Sequence, residues 1–146
     1  MYTHILLTTD GSELSQRAAL YGVNFAKSVN AQVTVLSVTA PWQTIAIGEI
    51  AVAVPEADYE ARAEANALGF LKPIADAAAA AGVACKTIHV RNGNPSEAII
   101  ETANTEGCDL IVMGSHGRSG LTKLLLGSET VRVLTHSKLP VLVYRE

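Results

Sequence analysis

The chain has 146 residues, enough for one domain with a sizeable core and too short for two comfortable ones. Its 49% hydrophobic and 17% charged residues describe an ordinary globular protein, and a net charge of −3 argues against nucleic-acid binding, which needs a basic surface. No apolar run approaches the roughly 20 residues of a membrane span, and the opening residues lack the three-part pattern of a signal peptide, so a cytoplasmic protein is expected.

"HILLTT" reads as a first strand, short and β-branched or apolar on both faces. Ser12 then caps a helix whose apolar stripe is read as Leu14, Ala18, Tyr21, Phe25 and Val29. "AQVTVLSV" is the second strand. Residues 39–55, "TAPWQTIAIGEIAVAVP", are longer and more apolar than a simple loop and read either as surface or dimer packing or as a lid over a ligand. An alanine-rich helix follows from Glu56 to Ala81, with Leu68, Leu71, Ala75 and Ala78 as its stripe, and "ACKTIHV" is the third strand. In "NPSEAII", Asn94 caps a third helix, Pro95 suits its first turn and Glu97 closes a capping box. "DLIVMG" is the fourth strand. A last helix runs over residues 128–136, its His136 suiting the negative end of the helix dipole, and "PVLVY" closes the chain as a fifth strand.

The order β-α-β-α-β-α-β-α-β predicts one α/β domain: an open parallel sheet with right-handed crossovers and helices on both faces. In such a sheet ligands bind outside the carboxyl ends of the strands, where the strand order reverses. Asp10, led by Thr8 and Thr9, stands at the end of the first strand, and Gly114 at the end of the fourth. If those strands are neighbours, both border one crevice.

From residue 114 to 128 the chain reads "GSHGRSGLTKLLLGS", a stretch without acids that contains Arg118 and Lys123. Gly114 and Gly117 are read as permitting positive φ and close backbone approach, and successive N–H groups there can form an anion nest. Gly127 and Ser128 open the last helix, whose first N–H groups lack helical partners and whose dipole favours negative charge. A phosphate chain is the natural occupant. The stretch is neither a P-loop nor the dinucleotide fingerprint, but Gly114-x2-Gly117-x9-Gly127-Ser128 directly after a buried strand is restrictive.

That spacing, with "ILLTTDGSELS" at the start and "LPVLVY" at the end, resembles the universal stress protein family in its ATP-binding, single-domain form, over the whole chain. The resemblance implies a five-stranded, Rossmann-like sheet of order 3-2-1-4-5. It implies that Asp10 lies beside a nucleoside, that Val38 meets adenine through its backbone, and that Met113 and Gly114 lie near the ribose. Gly117, Gly127, Ser128, Glu129 and Thr130 would surround the phosphates of ATP, or of ADP or AMP, accompanied by Mg²⁺, with Arg118 at the edge of the loop. It also implies a homodimer through the last strand around Val141 and Val143. Thr8 stands where the family often has proline, and Glu129 where it usually has a small or apolar residue.

No catalytic residue and no metal ligand is assigned. His4, His89, His116 and His136 form no HxxxH or HExxH pattern, and Cys85 and Cys108 form no CxxC pair and read as reduced, semi-buried thiols. Three functions follow: an ATP-binding stress-response regulator; a slow ATPase or self-phosphorylating protein using Asp10, Ser128 and Thr130; or a dimeric interaction module with an empty pocket.

Overall fold

The computed structural model describes residues 1–42, 55–117 and 125–146. In chain order they form β1 (His4–Thr8), α1 (Glu13–Val29), β2 (Gln32–Thr39), α2 (Glu56–Ala81), β3 (Cys85–Arg91), α3 (Pro95–Thr105), β4 (Leu110–Gly114), α4 (Ser128–His136) and β5 (Val141–Tyr144). The five strands make one parallel sheet of order β3-β2-β1-β4-β5. Ile5 of β1 sits opposite Val33 on one side and Leu110 on the other.

Parallel neighbours require crossovers, and right-handed crossovers decide which face each helix covers. Alternation along the strands then divides the core in two. On one face Ile5, Leu7, Val33, Val35, Leu110 and Val112 pack beneath Ala19, Val23 and Ala26 of α1 and Leu71, Ile74 and Ala78 of α2. On the other, Leu6, Leu36, Ile111 and Met113 pack beneath Ile99 and Ala103 of α3 and Val133 of α4. Each fully buried Ile or Leu contributes about 1.5–3 kcal/mol from removal of its surface from water. Chain direction across the sheet reverses between β1 and β4, so their carboxyl ends open into a crevice.

Two helical stripes differ from the sequence reading. On α1 the buried face is Leu14, Ser15, Ala18, Ala19, Gly22, Val23 and Ala26, while Tyr21 is 45% exposed and stacks at 5.4 Å on Tyr144. Gly22 is the reason: a Cβ there would lie 2.3 Å from Leu7 Cδ2, so the helix approaches β1 through a residue with no hydrophobic signal. On α2 the buried positions are Ala67, Leu71, Ile74 and Ala78, and Leu68 is 53% exposed; Ala75 sits at the margin.

The caps follow the sequence with one change. Ser15 N–H donates to Ser12 Oγ at 3.2 Å, and Asn94 Oδ1 accepts from Glu97 N–H. Glu97 closes the third cap through the Asn94 side chain (Nδ2 to Oε2, 3.3 Å), not through the backbone, because the Asn94 N–H already donates to Asn92 Oδ1 at 2.8 Å.

Of residues 39–55, positions 43–54 lie outside the described residues; at one end of the segment Ala40 O accepts the Tyr59 hydroxyl at 2.8 Å. Among the described residues no helix is long and apolar enough to cross a membrane.

Candidate functional site

Asp10 leaves β1 at its carboxyl end and is fixed by the turn into α1. Its Oδ1 accepts from Ser12 N–H at 2.9 Å and from the Ser15 hydroxyl at 2.8 Å. Thr9 braces the same turn: its hydroxyl donates to Gln16 Oε1 at 2.6 Å and accepts from Gly11 N–H at 3.1 Å, and its N–H bonds Leu36 O. Gly11 supplies the left-handed residue that the turn needs, at φ 83°. The Asp10 Oδ2 atom meets Gly117, where a Cβ would come within 2.5 Å.

Beyond β4 the chain is held at the neck of a loop. Ser115 N–H donates to Tyr144 O at 2.8 Å, and Ser115 O accepts from Gly127 N–H at 2.7 Å. Gly127 is packed so closely that a Cβ would stand 3.0 Å from His116 Cα. Thr130, 2% exposed, donates its hydroxyl to Gly114 O at 3.0 Å and so ties the first turn of α4 to the end of β4. The sequence reading has Gly114 and Gly117 permitting positive φ; among the described residues the left-handed glycines are instead Gly11, Gly82 and Gly107. At 117 and 127 glycine is required by close approach to Asp10 and His116.

Helix α4 begins with Gly127 as its N-cap, in extended conformation (φ −63°, ψ 155°) and with no side chain to cap it. The first N–H groups of the helix therefore keep their donors for something outside it. The neighbouring α3 differs. Its Ser96 N–H is taken by Glu129 Oε2 at 2.8 Å, while Glu129 Oε1 accepts from Arg132 at 2.6 Å. Glu129 thus turns sideways, across to α3.

These groups line a cleft of about 320 Å³ at the carboxyl ends of β1, β2 and β4, within the range of small-molecule sites. Its apolar lining is Leu36, Val38, Pro95, Ile99 and Met113; its polar lining is Asp10, the loop neck and the α4 N-terminus. Among the described lining residues the charged side chains are two carboxylates, Asp10 and Glu129, each engaged by hydrogen-bond donors.

Of the residues expected at the site, Thr8, Thr9, Asp10, Val38, Met113, Gly114, Gly117, Gly127, Ser128, Glu129 and Thr130 all border this cleft. Arg118 lies outside the described residues. The reading missed Ser15, Leu36, Pro95 and Ile99 as lining groups; His116, which the sequence places in the loop as a phosphate donor or a backbone support, also lines the cleft. Strand alternation could have found Leu36, two residues before Val38 and on the same face. His116 donates from Nδ1 to Gly117 O at 3.3 Å, a bond that supports the loop backbone. The other histidines stand apart: His4 bonds Thr34 and His89 bonds Thr39, both at 2.7 Å. Both thiols are free, and burial, with Glu106 and Asp109 nearby, pushes Cys108 up to about 11. Among the described residues no three His, Cys, Asp or Glu side chains cluster as a metal site.

The model of the universal stress protein family matches residues 1–145. The universal stress protein YxiE of Bacillus subtilis is 35% identical over 150 residues, spanning 99% of this chain and all of its own. The solved structure of the protein MJ0577 of Methanocaldococcus jannaschii superposes with a TM-score of 0.84 at 32% identity, covering 100% of this chain and 97% of its own. A universal stress protein solved in complex with cAMP has a TM-score of 0.68 at 27% identity, covering 99% and 97%. The match along the whole sequence and the shared 3-2-1-4-5 sheet have one explanation: this chain belongs to the universal stress protein family.

Proposed function

We propose that the chain is a regulator that binds an adenine nucleotide, with ATP as its principal ligand and ADP or AMP as alternatives. The observation that carries the reading is the α4 N-terminus, capped by a glycine without a side chain and opening on a cleft with an apolar lining of Leu36, Val38, Ile99 and Met113. Phosphates take the N–H donors and the positive end of the helix dipole. The base takes that apolar lining. The cAMP complex of a relative supports an adenine ligand.

Magnesium fits this site only together with phosphates. It commonly uses one or two carboxylates plus phosphate oxygens and water, and Asp10 offers the one carboxylate that is beside Gly117. Its role there would be to neutralise phosphate charge.

Turnover is the less favoured reading. Hydrolysis needs a group that positions water, and the oxygens of Glu129 are already engaged by Ser96 and Arg132. Thr130 is also a poor phosphate acceptor, since its hydroxyl is buried and bonded to Gly114 O.

The test is to denature protein purified without added nucleotide, identify what is released, and titrate fresh protein with ATP, ADP and AMP with and without Mg²⁺. Saturable adenine-nucleotide binding that weakens in Gly127→Val is expected. No saturable binding at millimolar nucleotide overturns the reading and leaves the interaction module.

The chain also assembles as a homodimer in this reading. β5 is an edge strand of half-buried residues, Val141 and Val143 among them, and unpaired edges invite pairing. Light scattering should give twice the chain mass; a monomer mass at micromolar concentration contradicts it.

A further inference from the structure

Three helix N-termini border the cleft; that of α1 is closed by Ser12 and Asp10, and those of α3 and α4 are treated differently. The α4 terminus is left without a side-chain cap. The α3 terminus is filled twice: Asn94 Oδ1 accepts from Glu97 N–H, and Glu129, in the first turn of α4, places Oε2 2.8 Å from Ser96 N–H. Pro95 and Ile99, which lie on α3, line the cleft with Glu129, so the carboxylate that reaches Ser96 borders the same cavity as the apolar lining and the α4 N-terminus. Asp10 lines the same cleft and is also a carboxylate.

We infer that Glu129 is a specificity-determining residue that sets how much negative charge the nucleotide can carry. This rests on the nucleotide-binding reading above. The carboxylate does two things at once. It occupies the α3 donor at Ser96 with an internal anion, so that, of the helix ends described at the cleft, α4 is the one without a side-chain cap. It also sets a fixed negative charge beside that end, against which each added phosphate is brought at an electrostatic cost. Arg132 neutralises it incompletely, because the Arg132–Glu129 pair is solvent-exposed on the arginine side and such pairs are weak. The cost scales with the ligand's charge, so a monoanionic phosphate feels least of it, a dianion about twice as much and a free triphosphate about four times as much. Magnesium bound to the triphosphate removes most of the difference.

Glu129→Gln separates charge from shape, because the amide oxygen still accepts from Ser96 N–H. The affinities of cAMP, AMP and Mg-free ATP are measured for wild type, Glu129→Gln and Glu129→Ala, at low and high salt. Glu129→Gln is expected to tighten Mg-free ATP by about fourfold relative to AMP at low ionic strength, the size expected for about two extra charges at about 10 Å through water. The gain should shrink in high salt and in saturating Mg²⁺, with cAMP changed least, by about twofold. Glu129→Ala, which also frees the α3 donor, should tighten ATP at least as much.

An unchanged ATP-to-AMP ratio in Glu129→Gln overturns the inference while leaving nucleotide binding intact. So does a gain that is the same for all three ligands or is indifferent to salt, which marks Glu129 as a structural clamp only. If neither wild type nor variants bind any of the three, the functional reading itself falls, and the inference with it.

Discussion

Replacing Gly117 by alanine tests whether the loop and the β1 turn act as one unit. The new Cβ would come 2.5 Å from Asp10 Oδ2, closer than real methyl carbons approach an oxygen. The Asp10 carboxylate cannot rotate away freely, because its Oδ1 holds Ser12 N–H at 2.9 Å and the Ser15 hydroxyl at 2.8 Å. Hydrogen bonds to a charged group contribute about 1.5–3 kcal/mol each, and losing one from this half-buried site, where water partly substitutes, costs about 1.5 kcal/mol. For a chain of this length about 1 kcal/mol moves Tm by about 2–4 °C, so Gly117→Ala should lower it by about 3–6 °C. The assay is a double-mutant cycle with Asp10→Ala, read by thermal and denaturant unfolding. With the carboxylate gone the methyl group has room, so Gly117→Ala should cost little in that background. An equal loss in both backgrounds would refute the argument and show that the glycine serves the loop alone.

Three further outcomes follow from the same geometry. Thr130→Val keeps side-chain volume but leaves the buried Gly114 carbonyl without its donor, and should cost about 1–3 kcal/mol in denaturant unfolding with the slope m unchanged. Gly22→Ala drives a methyl into Leu7, 2.3 Å from Cδ2, and should destabilise by about 1–3 kcal/mol through overpacking, whereas Gly69→Ala, with open space around it, should be neutral or stabilising. Burial raises the Asp109 carboxyl, but the N–H groups of Thr3 and His4 and the Thr3 hydroxyl outweigh it and leave the pKa below its ordinary value. A depressed native pKa means the unfolded chain binds the proton first, so this stability is present above about pH 4 and is lost as pH falls below it. Asp109→Asn should flatten that part of the stability–pH curve, and an unchanged acid limb would count against the assignment.

Much of this protein is legible without coordinates. Five apolar, β-branched runs alternating with helical periods determine a parallel α/β sheet, because only helices on both faces can cover such strands. The ends of α2 and α4 agree with the reading, and eleven of the twelve expected site residues line one cleft because strand ends and helix starts in this fold meet at the reversal of strand order.

What periodicity does not carry is distance. Tyr21 and Leu68 fit an apolar stripe, yet they face outward, because Gly22 and Ala67 let the helices approach more closely on a slightly rotated face. Gly117 and Gly127 announce a turn in sequence, but only the approach of Asp10 and His116 shows that the missing Cβ is what matters. Glu129 makes the same point: in sequence it is a carboxylate beside a phosphate site, and its direction is decided by an N–H from a helix 33 residues earlier. Local pattern is written by neighbours in the chain. The orientation of a charge is settled by partners that only folding brings within reach.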